Sequence, residues 1–291
     1  MAVQHSSARG VLASIAASVL FGGMFLLAGL VTVSAEVVFA WRVVIAFACY
    51  GAALLHPGAR RALRMLWRRL RSRWWMPPLS LLLTAIVGVQ LWLFMWAPQN
   101  GHALDTSLGY LLLPICLVLC GRFLMKHPVS VLQWAVVGLA AVAVTVKLVA
   151  TPELSWVTLV ICVPYSVYFV LRQRFGLDGP IVFGWEIALM LPVAVLFLLT
   201  GGGPSSGPET AAMLAIGFAS AAAMTLYLAA SSLLTMPVFG LLGYVEPVLL
   251  VVVALLLGER MQGADVFVYG ILAVALTVLA VDGFRAARRT R

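Results

Sequence analysis

Charge is what this sequence has least of. Only 10% of its 291 residues are charged, with 10 aspartates and glutamates against 19 lysines and arginines, where a soluble domain carries about 25%. With 63% of residues hydrophobic and a mean hydropathy of +1.07, a soluble enzyme, a secreted disulfide scaffold and a disordered chain are all excluded. A membrane helix takes about 20 apolar residues, so the apolar content fills roughly nine or ten spans and leaves polar linkers over. Cysteine is scarce as well: Cys49, Cys116, Cys120 and Cys162 lie in apolar stretches without CxxC or CxxH spacing and read as small packing residues. His5, His56, His102 and His127 fall at helix ends or in loops, and no HExxH, GxSxG or Walker pattern occurs. Metal hydrolysis and ATP-driven pumping therefore have no support. No metal, no cofactor and no enzymatic activity are expected.

Breaks at polar, proline and glycine clusters leave ten apolar segments, at roughly 10–32, 37–56, 76–97, 104–125, 129–150, 154–174, 180–200, 209–230, 236–257 and 264–284. Two of the cuts are weaker, at Lys126 to Pro128 and at Ser231 to Pro237. Continuous rather than alternating apolarity selects helices over a barrel. The first apolar run, Val11 to about Val33, is longer than the hydrophobic region of a cleavable signal and is expected to be retained as a membrane helix.

Ten spans place both termini on one side. With the N-terminus cytoplasmic, 16 of the 19 lysines and arginines fall inside and Arg260 alone falls outside, Arg42 and Lys147 lying within helices. That bias is a positive-inside signal, and it answers the question raised by a net charge of +9. The arginines from Arg60 to Arg73, interleaved with Trp67 and followed by Trp74 and Trp75, predict a juxtamembrane segment held against anionic headgroups, with no nucleic-acid partner.

The chain also repeats. Val38-Phe39-Ala40-Trp41-Arg42-Val43 in the second segment matches Val182-Phe183-Gly184-Trp185-Glu186-Ile187 in the seventh at an offset of 144. Leu108-Gly109-Tyr110 with Pro114 in the fourth matches Leu242-Gly243-Tyr244 with Pro247 in the ninth at an offset of 134. Two collinear matches imply five helices plus five. Because five is odd, the second copy enters the membrane from the opposite side. The expected fold is therefore all-α and integral to the membrane, with ten transmembrane helices as two inverted five-helix repeats, residues 1–150 and 151–291. Such repeats recur in secondary transporters, whose substrate site lies near midplane between the halves.

Against that background each intramembrane polar residue is a functional candidate, since a charge at mid-bilayer costs about 2.5–3.5 kcal/mol on insertion scales. Glu246 precedes Pro247 near the middle of segment nine, at an expected kink. It is either a proton-titrating or cation-contacting carboxylate, or a protonated or paired group that fixes packing. Arg42 either pairs Glu246 or an anionic substrate group, or snorkels to the outer headgroups. Glu186, at the equivalent place in segment seven, is either a second proton-coupling group or a locally paired structural residue. Lys147 is expected to snorkel. Gln90 is a buried amide, Trp92 and Trp96 share a face at i, i+4, and Tyr165 and Tyr168 share one at i, i+3 just after Pro164. With the repeat-related Tyr110, Trp185 and Tyr244, the residues Gln90, Trp92, Tyr165, Tyr168 and Arg42 form the candidate substrate-binding set, suited to a largely apolar pocket with few polar contacts.

These residues resemble a known family. Glu36 to Arg42, the Trp-Ala-x-x-x-x-His-x-Leu-x-x-Ser-Leu-Gly-Tyr order starting at Trp96, Gln133-Trp134, Glu186 to Pro192 and Gly258-Glu259-Arg260 are similar to RarD-type permeases of the EamA branch of the drug/metabolite transporter superfamily. The resemblance runs nearly end to end. It implies a ten-helix EamA-type fold in the cell inner membrane and secondary transport of a small metabolite, most often outward. It implies no particular substrate. The family's Gly-Glu-Arg turn after segment four is replaced here by Lys126-His127-Pro128, and an asparagine expected soon after Gly88 by Val89-Gln90. The function expected is a proton-coupled exporter of a small metabolite or drug-like molecule working by alternating access, with Glu246 and Glu186 as proton-coupling candidates. A non-coupled facilitator of the same fold and, further off, an integral-membrane enzyme remain as alternatives, and homodimerisation stays open.

Overall fold

The computed structural model describes residues 8–125, 131–150, 155–177, 179–234, 242–261 and 263–289. Lys126 to Pro128 and the stretch 235–241, where both weaker segment breaks were expected, lie outside the described residues, as do His5 and Arg291. Among the described residues there are eleven helices and no strand: α1 (Ala8–Leu30), α2 (Ala35–Ala53), α3 (Pro57–Leu70), α4 (Met76–Gln99), α5 (Ala103–Met125), α6 (Val131–Ala150), α7 (Trp156–Phe175), α8 (Pro180–Thr200), α9 (Gly207–Leu233), α10 (Val245–Leu256) and α11 (Gly263–Arg289). Seven of them, α1, α2, α4, α5, α7, α8 and α9, are long and apolar enough to cross a membrane, and α6, α10 and α11 contain shorter apolar helical stretches. The chain is a multi-pass membrane protein.

Helix α3 was not foreseen as a helix. His56 caps it, its ring Nδ1 accepting from Gly58 N at 3.2 Å, and Pro57 starts it at a position where the missing donor costs nothing. Leu63, Leu66 and Leu70 recur at helical spacing, and Leu66 and Leu70 are buried. Arg61, Arg64 and Arg68 occupy the other face, so α3 is amphipathic and lies outside the apolar set.

The bundle is built from long-range pairs. Helix α1 packs on α9, α4 and α10; α2 on α8, α9 and α4; α5 on α7 and α10; α6 on α11; and α4 also on α7 and α8. Two glycines illustrate how small residues permit close approach between helices. A Cβ on Gly217 of α9 would stand 2.3 Å from Ile45 Cδ1 of α2, and one on Gly109 of α5 would stand 2.8 Å from Ile161 Cβ of α7. With little hydrophobic force between helices in lipid, such small-residue contacts carry packing.

The kink expected at Glu246 takes a sharper form. Gly243 and Tyr244 form a turn, and α10 begins at Val245, so Glu246 and Pro247 sit in its first turn rather than inside a continuous helix. Proline is tolerated there because the first turn's amides have no intrahelical acceptors.

Candidate functional site

Arg42 lies on α2, inside the bundle. It is 5% exposed, so its guanidinium does not snorkel to the headgroups. Its Nε donates to Ser220 Oγ of α9 at 2.6 Å, its Nη1 reaches the Leu91 carbonyl of α4 at 3.4 Å, and its guanidinium carbon stands 5.7 Å from the Phe94 ring centroid. It also interacts through space with Tyr110, Tyr165 and Glu246. Arg42 and Glu246, both described residues, attract each other without an ion-pair contact. Glu246 is half-buried and interacts in turn with Tyr110, Tyr165 and Tyr227.

Around these charges runs an aromatic wall. Tyr110 and Tyr165 meet edge to face at 6.4 Å, Phe94 and Tyr110 at 6.0 Å, and Phe21 meets both Phe94 at 6.4 Å and Tyr227 at 6.5 Å. Helices α1, α2, α4, α5, α7, α9 and α10 all contribute. One guanidinium, one carboxyl and several phenol groups are thus gathered among aromatic and apolar side chains.

A second polar cluster lies beside Tyr165, whose ring is 5.6 Å from that of Tyr168. Tyr168 donates its hydroxyl proton to Glu186 Oε2 at 2.8 Å and accepts a short hydrogen bond from Arg172 Nη1. Arg172 Nη1 also stands 3.6 Å from Glu186 Oε2. Arg172 Nε donates to the Leu177 carbonyl at 2.7 Å and its Nη2 to the Gly179 carbonyl at 3.2 Å, which ties it to the α7–α8 turn. Glu186 is 1% exposed, and among the described residues its Oε1 has no hydrogen-bond partner. Arginine and tyrosine thus compensate the carboxylate at Oε2 alone.

The other sequence candidates are dispersed. Gln90 donates to the Val160 carbonyl at 2.7 Å and bridges α4 to α7. Trp92 donates to Glu36 Oε1 at 3.1 Å and stacks on Trp96. Trp185 donates to Ser80 Oγ at 3.1 Å and packs on Trp67. Tyr244 packs into the cluster formed by α5, α6 and α11. Lys147 forms an ion pair with Asp265 instead of reaching for headgroups. Of the proposed set, then, Arg42, Tyr110, Tyr165 and Glu246 share one site and Tyr168 and Glu186 a neighbouring one. Ser220, Tyr227, Phe94 and Phe21 were missed, because a serine and three rings among many have no distinguishing spacing.

No family model matches the sequence. The chain is, however, 36% identical over 296 residues to the chloramphenicol-sensitive protein RarD of Pseudomonas aeruginosa, covering 97% of each chain. The chain belongs to the RarD-type permeases. An uncharacterized transporter of Pasteurella multocida is 31% identical over 280 residues, covering 94% of this chain and 96% of its own length. Protein RarD of Escherichia coli is 26% identical over 70% of this chain. A solved crystal structure with 19% identity superposes at a TM-score of 0.60 over 95% of this chain and 98% of its own, which is a likeness of fold alone. As a RarD-type permease the protein is a membrane transporter, consistent with the EamA branch, and not an enzyme.

Proposed function

We propose that this permease is an inner-membrane, proton-coupled secondary transporter that exports a small amphipathic or zwitterionic metabolite by alternating access, with both termini cytoplasmic. The observation that carries the reading is the site shared by Arg42 of residues 1–150 and Glu246 of residues 151–291. In this reading the halves are inverted five-helix repeats. The helix pairing supports that symmetry: exchanging the halves maps α2·α8, α6·α11 and α5·α10 onto themselves, α1·α10 onto α7·α5, and α1·α9 onto α7·α4. Among the described residues α3 has no counterpart, and α1·α4 and α2·α4 pack without an equivalent α7·α9 or α8·α9 pairing of similar extent.

Arg42 attracts the anionic end of the substrate. Glu246, when ionised, attracts the cationic end and, when protonated, releases it, so that proton and substrate compete for one carboxylate. Tyr110, Tyr165 and Tyr227 cover the body of the substrate. The Arg172–Tyr168–Glu186 cluster, held to the α7–α8 turn, acts as a lock at the cytoplasmic end whose carboxyl is a second proton acceptor. Alternating access then follows from movement of one half against the other around a fixed site.

The reading is tested by comparing metabolites exported by cells carrying the intact gene, no gene, or Arg42→Ala. A carboxylate-bearing compound exported only with the intact gene supports the assignment. Loss of neutral and carboxylate-bearing cargo to the same degree in Arg42→Ala removes Arg42 from substrate recognition.

A further inference from the structure

Helix α3 joins two features, a cationic outer face and an inner face packed on the α7–α8 turn. Its outer face carries Arg61, Arg64 and Arg68 at i, i+3 and i+7, all exposed, a row that presents three cations on one side of a helix. Arg60 is engaged otherwise, its Nε donating to the Leu54 carbonyl at 2.6 Å. Beside the row, Met65 at 64%, Trp67 at 43% and Trp74 at 87% exposure leave an apolar rim uncovered by protein. Arginines flanked by exposed tryptophan and methionine fit the boundary between headgroups and acyl chains.

The inner face of α3 clamps the α7–α8 turn. Leu66 and Leu70 are buried in the same apolar cluster as Tyr168, Leu177, Phe183 and Ile187. Trp67 meets Trp185 edge to face at 5.7 Å, one residue before Glu186. Arg69 lies on Gly176, the left-handed residue that ends α7: a Cβ there would stand 2.8 Å from Arg69 Nη1. The turn so clamped provides the Leu177 and Gly179 carbonyls that orient Arg172 toward Glu186.

We propose that α3 is a docking site for anionic phospholipid headgroups, and that a headgroup bound to Arg61, Arg64 and Arg68 steadies the Arg172–Glu186 lock through Trp67 and Arg69. Lipid charge thereby regulates opening at the cytoplasmic end. The regulatory role rests on the transporter reading given above, whereas the docking and its structural coupling do not.

The test is hydrogen exchange on the full-length protein in nanodiscs of phosphatidylcholine, with or without phosphatidylglycerol, which requires no substrate. Phosphatidylglycerol slows amide exchange over residues 57–70 and also over residues 175–181. Replacing Arg61, Arg64 and Arg68 together by Gln weakens the preference for phosphatidylglycerol on the order of 100-fold and abolishes both effects. Trp67→Ala keeps the slowing over α3 and loses it over the turn, and Trp67→Phe keeps both. The proposal is overturned if phosphatidylglycerol changes neither segment, if inorganic phosphate added to phosphatidylcholine discs reproduces the slowing, or if Trp67→Ala leaves the turn as responsive as before. A protein with no proton-coupled transport still gives this readout, so failure of the transport assignment is distinguished from failure of the lipid site.

Discussion

Arg42 of α2 donates from Nε to Ser220 Oγ of α9 across 178 residues of sequence, at 2.6 Å. The hydroxyl takes one donor of the fork and the Leu91 carbonyl of α4 a second, so the guanidinium plane is held between α4 and α9. Ser220→Ala leaves a charged donor unpaired in the interior, at a cost of about 1–3 kcal/mol. Thermal unfolding in detergent should show that loss, and Ser220→Thr should recover most of it. Unchanged stability in Ser220→Ala would mean that water replaces the serine without penalty.

Breaking the Arg172–Glu186 pair from one side leaves an uncompensated charge. Arg172→Met is therefore expected to destabilise the protein by about 3–5 kcal/mol. Adding Glu186→Leu should return much of the loss, since an apolar pair of similar volume costs little in the same place. A double-mutant cycle on thermal unfolding checks this, and additive losses would contradict the pairing.

At the opposite end of the bundle, Glu259 caps α5, accepting from Ala103 N at 2.6 Å and Leu104 N at 2.7 Å. An anion on free helix amides is a favoured arrangement. Glu259→Ala should cost about 1.5–3 kcal/mol and raise amide exchange in the first turn of α5 above that of the second.

Much of the fold was legible in the sequence because lipid imposes one rule, an apolar run of fixed length, and the arginine bias follows from insertion rather than from packing. Arg42 and Glu246 stood out for the same reason, as charge where charge is costly. The partners of Arg42 could not be read: Ser220 has no distinguishing neighbours, and which ring of Phe21, Phe94 or Tyr227 faces inward depends on helix rotation. Arg172 was hidden differently. Counted by position it is one more cytoplasmic arginine, and only the folded α7–α8 turn reveals that its donors face inward to Tyr168 and Glu186. Helix α3 was missed because its many arginines masked the spacing of Leu63, Leu66 and Leu70.

Packing at the α2–α9 contact makes a further prediction. Gly217 faces Ile45 so closely that Gly217→Ala is expected to cost about 1–3 kcal/mol, and Ile45→Ala in the same chain should relieve the clash while leaving a smaller packing defect. Thermal unfolding of the two single variants and the double variant measures the relief.

Glu246 is proposed to carry the coupling proton. Protein reconstituted in proteoliposomes and loaded with an exported metabolite should respond to an imposed pH gradient, and Glu246→Gln should abolish that response while retaining exchange of substrate down its own gradient. A Glu246→Gln protein that responds to the pH gradient as the unaltered protein does would contradict the account.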